Sequence, residues 1–320
     1  MRPRYLTSLN LQQFYEAACD IPYQKIDSDL FPGIELWIRR DDLLDPLISG
    51  NKAYKLIYNL IEAQERGADT LITCGGAWSN HIHATAAAGA RFGFKTIGII
   101  RGERPPVLSA TLQDAERFGM RLHFVPREAY RLRYSQEFLN VLGLDAPGKI
   151  YIPEGGANLA GAEGVKLLGE VLVKTSPVSF DECWLACGTG LTLGALSGAL
   201  RSNGARLVGI PVLKDGGSAE RHARNWRSRR PGPGAHMSVL AGAHCGGYAK
   251  YPDYLAEFQR VFEGGSGIPL DPVYTAKVAF ALCNRALASG ALGGRFLLLH
   301  TGGLQGWRGL VKKRSNAFQR

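Results

Sequence analysis

Short apolar runs, rich in Val, Ile and Leu, recur along the chain. Between them the apolar positions fall back to a spacing of three and four residues. Runs at 70–74, 96–100, 122–125 and 150–152 predict strands. An alanine-rich stretch opening at Ser79–Asn80, a segment around 112–118 and another around 134–141 predict the helices between them. The alternation resumes after a glycine cluster at 155–161, with a helix over 163–174, strands at 183–186 and 207–210, helices near 253–262 and 273–289, and a strand at 296–299. Residues 1–48 read as an irregular arm with one strand at 34–40. Residues 214–247, rich in Gly, Pro and Arg, read as a long excursion. Strands alternating with helices predict an α/β protein with two open, mostly parallel twisted sheets. The length fits two α/β domains or one large one, and the expected division is a small domain, 50–164, inserted into a larger one made of 1–49 and 165–320.

The chain has 320 residues, of which 45% are hydrophobic, and a mean hydropathy of −0.09, as expected of a chain with a sizeable core. No apolar run approaches a membrane span, and residues 1–10 lack the apolar middle of a signal peptide, so the expected setting is the cytoplasm. The six cysteines are scattered, with no C-x-x-C pair, and read as reduced thiols rather than disulfides or zinc ligands. The net charge of +10 raises the question of nucleic acid, because Arg221, Arg224, Arg227, Arg229 and Arg230 crowd one segment and Lys312, Lys313 and Arg314 another. Without a nucleic-acid fold signature, these clusters read as solvated faces or as attractors of small anions.

The chemistry gathers around Ser49-Gly50-Asn51-Lys52. A helix follows it, with Leu56, Ile57, Leu60 and Ile61 on one face, and Gly67 stops it. Lys52 therefore stands in a first turn, where the helix dipole disfavours a positive charge and favours the neutral amine that a Schiff-base lysine needs. Four loops share one design, a strand end followed by small residues: 74–81, 153–161, 187–194 and 300–303. Ligands of open α/β sheets bind outside the carboxyl ends of strands, so the four loops are expected to meet at one crevice. Gly188, Thr189, Gly190, Leu191 and Thr192 suit a phosphate, held by backbone N–H groups and the start of the next helix. The same loop reads G-x-G-x-x-x-G, one residue off a dinucleotide fingerprint, with Asp215 beyond the next strand. A nicotinamide enzyme is therefore a rival reading, and a plain tight turn is another. Ser79, Asn80 and His81 open a helix whose backbone donors suit a carboxylate, although Ser79 or Asn80 can equally be a simple N-cap. His81 and His83, two apart, are poorly spaced for a metal on a helix.

Taken in order, Gly50-Asn51-Lys52 with Lys55-Leu56, Ser79-Asn80-His81, Gly188-Thr189-Gly190, Gly246-Gly247-Tyr248, the 270–274 stretch Leu-Asp-Pro-Val-Tyr and His300-Thr301-Gly302-Gly303 resemble one family. It is the family of 1-aminocyclopropane-1-carboxylate deaminases and D-cysteine desulfhydrases, which use pyridoxal 5'-phosphate (PLP) and have the tryptophan-synthase-β-like fold (fold type II). The resemblance runs from about residue 34 nearly to the end. It implies that Lys52 carries PLP and acts as the base at the substrate Cα. Asn51 would lie near the ring hydroxyl, residues 188–192 would hold the phosphate, and Thr301 would belong to the cofactor site. Ser79, Asn80 and His81 would meet the substrate carboxylate, with Tyr248 and Tyr274 flanking the reacting centre. A homodimer acting on a small amino acid is implied as well, with no membrane and no nucleic-acid role.

The chain departs from the family pattern at Ser49 (usually Gly), Tyr54 (usually Arg), Ala84 (usually Gln) and Ala157 (often Ser), which questions substrate contacts more than cofactor binding. The deaminases typically carry Glu where Thr275 stands and Leu where Thr301 stands. A carboxylate keeps a pyridine nitrogen protonated and strengthens the electron sink that ring opening needs, whereas loss of a thiol from Cβ demands less. The expected reaction is therefore D-cysteine to pyruvate, hydrogen sulfide and ammonia. The alternative is 1-aminocyclopropane-1-carboxylate to 2-oxobutanoate and ammonia.

Overall fold

A computed structural model describes residues 5–308 except 136, 201–203, 215, 230, 231, 233 and 290–292. Asp215, Arg230 and the basic stretch 312–314 lie outside the described residues. The described strands are β1 (Tyr23–Ile26), β2 (Glu35–Arg39), β3 (Thr70–Gly75), β4 (Lys95–Arg101), β5 (Arg121–Val125), β6 (Lys149–Ile152), β7 (Glu182–Cys187), β8 (Arg206–Pro211), β9 (Met237–Val239) and β10 (Arg295–Leu299). They form two sheets. One is four-stranded in the order β5-β4-β3-β6 and wholly parallel; the other is six-stranded in the order β1-β2-β10-β7-β8-β9, with β1 antiparallel to its neighbour. The two mostly parallel sheets match the α/β class that the alternating pattern predicts. Both β3 and β7 are buried along their whole length, which is why they read as unbroken apolar runs.

Two stretches differ from expectation. The arm is not irregular: it holds the helix Leu11–Cys19 and the hairpin-like pair β1–β2. That helix is capped by the Asn10 side chain on the Gln13 amide, and it buries only Phe14 and Ala18, four apart. So narrow an apolar face leaves a weak periodic signal. The excursion at 214–247 likewise contains the helix Ser218–Ser228 and β9. Here too only Ala219 and Ala223 are buried, and small residues four apart among three arginines do not read as an amphipathic face. The arginines are engaged locally: Arg224 pairs with Glu220, Arg221 donates to the Gly216 carbonyl, and Arg229 lies 4.5 Å from the Trp226 ring centroid. Among the described residues, no helix is long and apolar enough to cross a membrane.

The helix Asn51–Glu65, which carries Lys52, is seated on the helix Leu159–Thr175. Contact is closest at Gly164, where a Cβ would collide with the Tyr54 carbonyl oxygen. One apolar cluster runs through both helices and the strands beneath them, from Leu56 and Leu60 through Val165 and Leu168 to Leu185 and Leu299. Below the same helix lies a buried polar knot. The Arg39 guanidinium pairs with Asp41 at 3.1 Å and donates to the Ala18 carbonyl and the Tyr54 hydroxyl. Tyr54 in turn donates to Asp41 at 2.9 Å. Burial pushes the Asp41 carboxyl up, and the neighbouring Arg39 pulls it back. Tyr54, Ala84 and Ala157 all sit in or against the apolar core and off the crevice walls. These three departures therefore lie in the packing and not on the crevice walls. Arg39 already supplies a guanidinium next to position 54, so an arginine there would add a second buried cation.

Tyr54→Phe should lower unfolding free energy by about 1–3 kcal/mol, the cost of leaving buried charged partners short of a hydrogen bond. Tyr54→Arg should destabilise more than Tyr54→Phe, although it restores the residue usual in the family. Denaturant titration of the three proteins checks both; an arginine variant as stable as the wild type would contradict the packing account.

Candidate active site

The site begins with a backbone constraint. Gly50 has φ +60 and ψ −141, a conformation that L side chains rarely adopt, and a Cβ there would collide with the Thr301 carbonyl. The start of the Lys52 helix is therefore pressed against the turn that leaves β10. Lys52 follows two residues later and faces a crevice between the carboxyl ends of the two sheets. From the four-stranded sheet come Gly76, Ser79, Asn80, His81, Arg101 and Glu154. From the six-stranded sheet come Cys187 to Gly190, Tyr248, Tyr274 and Thr301. All four small-residue loops meet here, as the strand-end rule requires.

Around Lys52 the decisive influence is loss of water. Burial pushes its amine down to about 8, against the opposing pull of the Asp271 carboxylate. Its Nζ donates to Asn51 Oδ1 at 2.8 Å, and Asn51 Nδ2 donates to Thr192 Oγ1 at 3.1 Å, so one amide links the lysine to the glycine loop. Lys55, one turn on, is buried. Its Nζ reaches the Gly155 carbonyl at 3.2 Å, and burial followed by the Lys52 charge holds its amine well below the ordinary lysine value. His81 is buried with neither ring nitrogen hydrogen-bonded, and burial with the two lysines keeps it neutral. A buried amine, a half-buried one beside it and an unpartnered imidazole round one crevice are expensive to maintain without an anionic or polar guest.

The glycine loop is shaped for such a guest. Gly190 takes φ +76 and caps the helix Leu191–Ala199, and a Cβ there would lie 2.6 Å from the Ala219 carbonyl. Gly188 stays open towards the crevice. Thr189 and Thr192 add hydroxyls to the wall, whereas the Leu191 side chain is turned into the core and offers only its backbone. A loop of bare N–H groups at a helix start, with a buried lysine opposite, fits a phosphate. With Lys52 next to it, the donor set fits PLP.

Across the crevice, Ser79 caps the helix Asn80–Phe92 by accepting from the Ile82 amide at 3.3 Å. The Asn80 amide is held by Gln305, which donates to its Oδ1 at 2.8 Å. What this corner offers an incoming carboxylate is chiefly backbone N–H at a helix start. Tyr248 and Tyr274 stand together, ring centroids 6.5 Å apart and nearly perpendicular, and burial raises both phenols so that each stays protonated at neutral pH.

Several lining residues escaped the sequence reading. Lys55 stood in a quoted motif without a role, and its helical position three beyond Lys52 put it on the same face. Glu154 receives Tyr130 at 2.8 Å and Arg133 at 2.7 Å, and Arg101 completes that rim. These residues belong to different strand ends, so no local spacing could have grouped them. Lys277, fully buried, donates to the Gly247 carbonyl at 2.6 Å and fixes the loop that presents Tyr248. Thr275 does not line the crevice: its hydroxyl accepts from the Asp271 amide at 2.7 Å. Thr301 does line it. His83 leaves the crevice and faces Asp114 at 3.3 Å, and among the described residues no cluster suits a metal.

Residues 22–302 match the family of pyridoxal-phosphate-dependent enzymes. The chain is 32% identical over 302 residues to the mitochondrial bifunctional D-cysteine desulfhydrase/1-aminocyclopropane-1-carboxylate deaminase of Arabidopsis thaliana, covering 86% of this chain and 73% of that one. It is 27% identical to a D-cysteine desulfhydrase of Salmonella typhimurium, over 93% and 95% of the two chains. Among solved structures, that of an ACC (1-aminocyclopropane-1-carboxylate) deaminase homologue superposes with a TM-score of 0.78 at 29% identity, covering 95% of this chain and 93% of the other. The nicotinamide reading explains the glycine loop alone and leaves Lys52, Lys55 and His81 without a purpose. From the crevice that these residues build and from the match over most of its length, the chain belongs to the pyridoxal-phosphate-dependent enzymes.

Proposed function

We propose that Lys52 carries PLP in this crevice and that the protein converts D-cysteine to pyruvate, hydrogen sulfide and ammonia. The reading is carried by the Lys52 amine, which stands between a phosphate-shaped loop and a helix start and is lowered to about 8. Residues 188–192 and Lys55 would hold the phosphate, with Asn51 and Thr301 beside the ring. The backbone at Ser79, Asn80 and His81 would take the substrate carboxylate and so fix which face of Cα meets Lys52. When bound, PLP supplies a conjugated ring that spreads the charge left at Cα. Lys52, held next to Cα, removes the proton without diffusing to it. Tyr248 and Tyr274, both protonated, can donate a hydrogen bond to sulfur as the Cβ–S bond breaks, and the buried walls keep water from competing.

The preference for thiol loss over ring opening rests on the carboxylates. Among the described lining residues the one carboxylate is Glu154, and Tyr130 and Arg133 already hold its oxygens. No lining carboxylate is then free to keep a proton on a ring nitrogen, which ring opening requires more than thiol loss does; Asp271, whose charge acts on Lys52, lies behind the wall. The small domain would comprise 50–164 and the large one 1–49 with 165–320. By the same resemblance the working unit is a homodimer. A cytoplasmic setting accords with six cysteines none of which is in a disulfide. The local pairing of the arginines on the helix Ser218–Ser228 favours an amino acid over nucleic acid as partner.

Purified protein should be yellow, and borohydride should fix the chromophore to Lys52, as peptide mapping would show. Lys52→Ala should leave no fixed adduct; an adduct on another lysine would overturn the assignment. In the cofactor-free protein, Lys52 should react with an acylating reagent with a midpoint near pH 8. Below that pH the amine is protonated and unreactive, and above it neutral; a midpoint near the ordinary lysine value would show that burial does not set its state. Finally, a panel of D- and L-amino acids with 1-aminocyclopropane-1-carboxylate should give sulfide and pyruvate from D-cysteine fastest. Faster formation of 2-oxobutanoate from the cyclopropane would replace this reaction by its alternative.

A further inference from the structure

Arg101 is the cation of the crevice that the chemistry above does not use. It ends β4, alongside Gly76, on the sheet that also carries the helix start at Asn80. Among the described residues its guanidinium has no ion pair and no hydrogen bond. It lies over the Tyr130 ring, with the centroid 6.0 Å away, and its charge acts on the Tyr248 phenol. The other charged groups of the wall are committed. Arg133 pairs with Glu154 at 2.7 Å, and Lys55 lies against Gly155, facing the glycine loop on the phosphate side. An α-carboxylate already has the backbone N–H groups at Ser79–His81. A point beyond Gly76 lies 3.8 Å from the Arg101 Nη2 atom and 3.9 Å from the Tyr248 ring edge, so guanidinium and phenol flank the same part of the crevice. In the elimination proposed above, where Tyr248 donates to the departing sulfur, a substituent on Cβ would stand in that part.

We infer that Arg101 is a specificity-determining residue that binds a negatively charged oxyacid carried on the substrate's β carbon, so that amino acids with such a leaving group are substrates. The inference rests on the elimination proposed above and names its substrate class more closely. A guanidinium offers forked donors that match the oxygens of a phosphate or sulfate ester. In that reaction Lys52 takes the Cα proton, the Cβ–O bond breaks, and the oxyacid departs with the electron pair. Water then releases pyruvate and ammonia, and no external oxidant or reductant is required.

The test compares O-phosphoserine, in both enantiomers, with 3-chloroalanine, whose leaving group carries no charge in the substrate. Both are given to the PLP-loaded wild type and to Arg101→Met and Arg101→Lys. Arg101→Met should lower kcat/KM for the preferred O-phosphoserine enantiomer about 30-fold, mainly through KM, the scale of one lost charged hydrogen-bonding contact. Turnover of 3-chloroalanine should stay within about threefold, and Arg101→Lys should recover part of the loss. An equal loss on both substrates would move Arg101 to the α-carboxylate and overturn the inference, as would no loss on either. A wild type that consumes 3-chloroalanine but neither O-phosphoserine enantiomer would overturn it too, while leaving the elimination reading standing. A wild type that consumes none of them, D-cysteine included, would remove that reading and this inference together.

Discussion

The backbone of Gly50 lies against the backbone of Thr301 and Gly302, closer than any side chain would allow. Through that contact the helix carrying Lys52, which leads into the four-stranded sheet, starts at the end of the central β10 of the six-stranded one. Gly164 repeats the device further along, letting the helix Leu159–Thr175 reach the Tyr54 carbonyl. Both contacts need a residue without a Cβ, Gly50 needs a positive φ besides, and both act at one helix. Together they leave Lys52 no place except the crevice between the sheet ends.

Once Lys52 is there, withdrawal from water sets its chemistry. The same burial acts on Lys55, His81, Asp271 and Lys277, and in each case the neutral form gains. Asp271 is raised to about 7 although its Oδ1 accepts the amides of Val273 and Tyr274. Lys52 in the crevice, with Asp271 and Lys277 behind it, is thus held where protons can be exchanged near neutral pH, whereas Lys55 and His81 are kept in their neutral forms. The helix dipole at the start of Asn51–Glu65 acts on Lys52 in the same direction. It explains why a first-turn position suits this lysine, but burial is the larger effect.

The buried polar knot of Arg39, Asp41 and Tyr54 plays a different part. It lies under the Lys52 helix, away from the crevice, and ties β2 and the helix Leu11–Cys19 to that helix. The arm of the chain is therefore structural: it closes the six-stranded sheet and braces the helix on which the chemistry depends. Position 54 belongs to that brace.

The sequence by itself determined the α/β class, nearly every strand between Thr70 and Leu299, and the helix start on which Lys52 stands. Strands buried on both faces are mostly apolar, and the helix that starts at Asn80 shows its cap in Ser79, so these features are written locally. It also determined that four small-residue loops follow strand ends. The helices Leu11–Cys19 and Ser218–Ser228 escaped because each buries only two residues, and two positions make no periodic signal. Only the tertiary structure decided which residues share the crevice. Arg101, Glu154 and Lys52 come from different elements, and their nearness follows from strand order β5-β4-β3-β6 and from the Gly50 contact, neither of which has a local signature. It also turned Thr275 onto the Asp271 backbone and Tyr54 into the core. A side chain's direction depends on what packs against it, and that is settled by neighbours distant in the chain.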